Sequence, residues 1–137
     1  MGTLTVKRSV AVHVIVTDEF KEELKAELRQ ASETTQQRID QLEFQSRRFL
    51  ADLQRSDMTQ AMNARRQIEA EKRRQDGVKR DIEEQLAEAD KLEIGSEYPR
   101  GVLEGVVEIT EGDNLLQKLA DSRIVIKDGV VIEIREV

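Results

Sequence analysis

The chain has 137 residues, of which 36% are charged and 3% aromatic, with a formal net charge of −6 and no cysteine. That length suits one ordinary domain, and the missing cysteines exclude a disulfide framework, thiolate catalysis and a cysteine-based metal site. No apolar run approaches the ~18 residues that span a bilayer, and the N-terminus lacks the pattern of a signal peptide, so a cytoplasmic protein without membrane contact is expected.

Residues 3–16 read as a strand. Leu4, Val6, Val10, Val12, Val14 and Val16 fall on even positions, interrupted by Arg8, and period-two alternation puts them on one face. Ala11, His13 and Ile15 point the other way, so the second face is also partly apolar near the helical stretch.

Residues 18–92 form the organising stretch. They hold one glycine, no proline and a dense mix of Glu, Gln, Lys, Arg, Ala and Leu, which favours helix throughout. Thr17 or Asp18 caps its start. Leu28, Thr35, Leu42 and Phe49 recur every seven residues. Ser32, Ile39, Ser46 and Leu53 form a second row, so the two make a coiled-coil seam diluted by hydroxyl residues. Ser56-Asp57-Met58 offers a turn, because Asp57 followed by Gln60 resembles a capping box. Reversal there leaves two helices of roughly 50–57 Å and returns the chain to its starting end. The alternative is one continuous helix of roughly 110 Å. Gly77 is a second place for a break.

Gly95 fits a helix C-cap and Pro99 prevents continuation. Residues 102–110 read as a strand, with Gly105 marking a bulge or a close approach. A short helix is expected at about 113–120, capped by Asp113. Residues 123–127 and 130–135 flank Asp128-Gly129, a strong signal for a two-residue hairpin turn. The expected fold class is therefore α+β. Residues 1–17 and 93–137 form a small, barrel-like β head, and residues 18–92 a long antiparallel helical coiled-coil hairpin as an arm, turning near 56–58.

Several segments resemble the YlqD family, an uncharacterised bacterial family. They are Val6-Lys7 in the first strand, Ile-Gly-Ser-Glu at 94–97, Glu-Gly-Asp at 111–113 and Ile-Val-Ile-Lys-Asp-Gly-Val-Val-Ile-Glu-Ile at 124–134. The resemblance spans essentially the whole chain, and its C-terminal motif is the specific part. It implies no activity, cofactor or site residue. Some relatives carry prolines in mid-arm, which favours a reversal there; this chain has none.

Chemistry-bearing patterns are scarce. His13 is the only histidine, so a catalytic histidine pair or a His-based metal cluster is excluded. Glu22-Glu23 and Glu83-Glu84 are adjacent on helices and diverge. No phosphate-binding glycine loop is present. No enzymatic activity, cofactor or small-molecule ligand is expected.

Charge is unevenly spread. Residues 47–80 carry ten Lys/Arg against five Asp/Glu, a net of +5, between acidic flanks. Arg47, Arg48, Arg55, Arg65, Arg66, Arg73 and Arg74 are candidate anion- or partner-binding residues, since guanidinium suits bidentate recognition of phosphate or carboxylate. The sequence points first to a non-enzymatic interaction or scaffold protein that self-associates or binds a protein partner. The alternative is an RNA- or ribosome-associated factor contacting phosphates through the basic segment, with few aromatics for base stacking.

Overall fold

A computed structural model describes residues 2–136. The chain divides into a sheet unit, made of the residues up to Lys21 and from Leu92 onward, and a helical unit, Glu22–Lys91. In chain order the elements are β1 (Thr3–Ile15), α1 (Asp18–Ser56), α2 (Met58–Asp90), β2 (Glu97–Thr110), α3 (Leu115–Leu119), β3 (Ser122–Lys127) and β4 (Val130–Glu136).

The fold is α+β, with one four-stranded sheet ordered β2-β1-β3-β4. β1 is antiparallel to β2 over its whole length and parallel to β3 over Val10–Val14, while β3 and β4 form an antiparallel hairpin. The expected barrel-like head is not found. The sheet is open, with β2 and β4 as its two edges. Four strands enclose too little space for a filled interior, and closure would need backbone pairing between those outer strands.

The hairpin turn follows from local chemistry. Asp128 and Gly129 both have positive φ, +48° and +82°, as a two-residue turn with right-handed strand twist requires. Thr17 ties this turn to the start of α1. Its hydroxyl donates to Asp128 Oδ1 (2.8 Å) and accepts from Phe20 N (3.1 Å), which caps the helix.

β2 begins at Glu97, five residues earlier than the sequence suggests. Pro99 is tolerated because β2 is an edge strand, and a bulge at Arg100 absorbs the irregularity opposite Val12 and His13. α3 is shorter than expected, and its cap is Asn114, whose Oδ1 accepts from Gln117 N at 3.2 Å. Asp113 instead accepts from Thr110 N and Oγ1 (2.9 and 3.1 Å). Gly95 does not cap α2, which ends at Asp90 with Lys91 as its C-cap. Its positive φ serves a turn that hydrogen-bonds back to Val16.

Burial deepens along β1. Leu4 is 65% exposed, Val12 and Val14 are buried, and Val16 is fully buried. Phe20 is buried there too, its ring 5.5 Å from Tyr98 with the Arg100 guanidinium 5.5 Å above it. Val125 is also fully buried.

In the helical unit, the helical stretch is interrupted at Asp57. Its backbone is extended (φ −155°) and its Oδ1 accepts from Gln60 N at 3.1 Å, starting α2. Gly77 lies inside α2 without breaking it. Side-chain contacts that join the helices include Lys25–Asp90 at 2.5 Å, Lys79–Gln36 at 2.6 Å and Lys72–Glu43 at 2.6 Å. In each pair the two residues are equidistant from a point between Asp57 and Met58. The expected seam is buried at Thr35 and Ile39, but Phe49 is 54% exposed. Beside it lies a gap of about 220 Å³ bordered by Ser46 and Ala64, side chains too small to cover a phenyl ring.

Candidate interaction surfaces

Strand register assigns the sheet's two faces, because directly paired residues share a side. Leu4, Val6, Arg8, Val10, Val12 and Val14 share one face with Ile109, Val107, Gly105, Leu103, Gly101 and Tyr98 of β2. Ser122, Ile124 and Ile126 of β3, and Glu136, Ile134 and Val131 of β4, complete it. This face is apolar apart from Arg8, Ser122, Glu136 and the Tyr98 hydroxyl. Leu4, Leu103, Val131 and Ile134 on it are all more than half exposed. Arg8 lies among the valines and donates to Ser122 Oγ. Its Nε is buried with no hydrogen-bond partner among the described residues.

The opposite face is mixed, with a charged network beside exposed Val102, Val106 and Val130 and the fully buried Val125. Glu97 of β2 receives two hydrogen bonds from Arg135 of β4 (2.5 and 3.1 Å) and lies 3.3 Å from His13 Nδ1 and 3.8 Å from Arg123. Arg135 also donates to Glu133. These guanidinium bonds hold the carboxyls of both Glu97 and Glu133 below their ordinary range and raise Arg135 above its own. The outer strands are thus linked by side chains on this face. A cleft of about 430 Å³ lies beside the network, bordered by Ser9, Ala11, Val102, Asp121 and the two arginines. His13 is one partner in this network. Among the described residues no group of His, Cys, Asp or Glu is arranged to hold a metal ion. No helix there is long and apolar enough to cross a membrane.

The seven candidate arginines all lie in the helical unit and are all exposed. Arg47, Arg48 and Arg55 are on α1, and Arg65, Arg66, Arg73 and Arg74 on α2. In the register of the three cross-helix contacts, Arg47 and Arg48 stand within about one helical turn of Arg65 and Arg66. Arg55 lies nearer the break at Asp57, and Arg73 and Arg74 farther from it. Arg74 pairs with Glu71; the other six make no ion pair among the described residues. Exposed Phe44, Phe49, Met58 and Met62 belong to the same stretch.

The sequence reading missed the Glu97–Arg135 network, whose members lie 38 residues apart, and the orphan nitrogen of Arg8. The only signal for the latter was one arginine breaking a run of valines.

The family model for YlqD protein matches residues 4–135. The chain belongs to the YlqD family. It is 33% identical over 127 residues to a Bacillus subtilis (strain 168) protein named uncharacterised protein YlqD, covering 93% of this chain and 94% of that one. A crystal structure of a protein of unknown function from Synechococcus sp. WH 8102 superposes on this YlqD-family chain with a TM-score of 0.87 and 29% identity. That match covers 98% of this chain and 96% of the other.

Proposed function

We propose that this chain is a non-enzymatic interaction protein whose sheet unit docks through its apolar face and whose helical unit presents a charged surface to a protein partner. In this reading α1 and α2 form an antiparallel coiled-coil hairpin, supported by the three contacts symmetric about Asp57 and Met58. The carrying observation is the apolar face. A soluble domain normally covers such a face with a second layer, and here four large aliphatic side chains on it are more than half exposed. The test is sedimentation of cell lysate with the chain at its native level. The wild-type chain is expected to travel in a species larger than 15.7 kDa, and a Leu103→Glu/Ile134→Glu variant as a single chain. A wild-type chain that sediments alone overturns the reading.

One observation favours a second reading, RNA binding through phosphates: six exposed arginines of the basic segment lack a carboxylate partner among the described residues. Filter binding at low salt is then expected to show affinity that falls steeply with added salt. Arg65→Glu with Arg66→Glu should weaken it and flatten the salt dependence. No affinity at low salt ends this reading.

A further inference from the structure

We infer that the partner on the apolar face is a second copy of the chain, laid sheet on sheet; this rests on the docking reading above.

The sheet's edges are guarded, whereas this face is not. β2 carries Pro99, Glu104, Glu108 and a bulge at Arg100, and β4 carries a bulge at Ile132 and alternating charges. Such features discourage strand addition. Apart from Arg100, which reaches over Phe20 from the bulge, the paired positions of the face carry only two charged residues, Arg8 and Glu136. They are opposite in sign. Two-fold pairing of identical faces lets the Arg8 guanidinium of each copy meet Glu136 of the other. The patch is thus complementary to itself in charge as well as in apolar character.

Its size fits. With strands about 4.8 Å apart, β1 and β2 running about 40 Å and β3 and β4 about 20 Å, the face projects about 600 Å², part of it already covered at Val12 and Val14. Accessible surface exceeds projection on a pleated sheet, so the uncovered remainder is comparable with the ~600 Å² per partner at the lower end of stable interfaces. A second sheet packed about 10 Å away completes a two-layer core.

The test uses the purified full chain. Light scattering is expected to give twice 15.7 kDa. Leu103→Glu, on the apolar face, should give a single chain with unchanged far-ultraviolet circular dichroism. Val106→Glu, on the opposite face and 72% exposed, should leave the pair intact. Should Leu103→Glu fail to fold, Leu103→Ala is expected to raise the concentration at which the pair dissociates several-fold. A folded wild-type single chain throughout the micromolar range overturns the inference. So does a pair that Val106→Glu dissociates as readily as the Leu103 variants. If the chain is single when pure but sediments in a larger species in lysate, the docking reading stands and the second-copy inference falls.

Discussion

The sheet unit and the helical unit handle their apolar residues differently. The helical unit has few, and it buries Leu24, Ile39, Ala61 and Ala89 while its surface is mostly charge. The sheet unit is richer in large aliphatics. It buries Val12, Val14, Val16, Phe20 and Val125, and leaves much of one face open. A helix can cover a narrow stripe with one neighbour, whereas a sheet face needs a whole second layer. The difference shows where a second layer is missing: on the apolar face of the sheet.

Four perturbations sharpen that contrast. The largest effect is expected at Val16, which has no exposed surface. Val16→Asp should destabilise the sheet unit by on the order of 4 kcal/mol or more, read as loss of the sheet's cooperative urea transition. Ile39→Ala, at 5% exposure in the helical unit, should cost about 2–4 kcal/mol by leaving a cavity, read from loss of helical signal in urea.

Asp57→Ala removes the cap of α2 and should cost about 1 kcal/mol in the same measurement. A cost near zero would mean that the break between the helices does not depend on that cap.

The smallest effect concerns acid. Arg135 lowers the Glu97 carboxyl in the folded chain, so its contribution is present above the ordinary carboxylate range and is lost as pH falls through the lowered value. The urea midpoints of wild type and Glu97→Gln should therefore differ at neutral pH and converge in acid.

How much of this was legible depended on range. The turn at Asp128-Gly129 and the break at Asp57 follow from two to four adjacent residues, and the sequence shows both. The start of β2 at Glu97 was hidden, because its pairing with Ile15 lies 82 residues away and Pro99 argues locally against a strand. Sheet order was hidden for the same reason. Valine alternation names a face without saying which strands share it, so an open sheet and a barrel read alike. Asp113 and Asn114 are both good caps, and only the competing bonds to Thr110 decide between them. The basic segment was visible as composition. That six of its seven candidate arginines lack ion pairs among the described residues required the fold.

The most direct test of the central claim compares two neighbours. Leu103 and Val102 are adjacent on β2, point to opposite faces and are similarly exposed in the single chain, at 56% and 64%. Carbene labelling of the wild-type protein at working concentration is predicted to spare Leu103 several-fold relative to Val102, once corrected for intrinsic reactivity. Equal labelling of the two would contradict a covered apolar face.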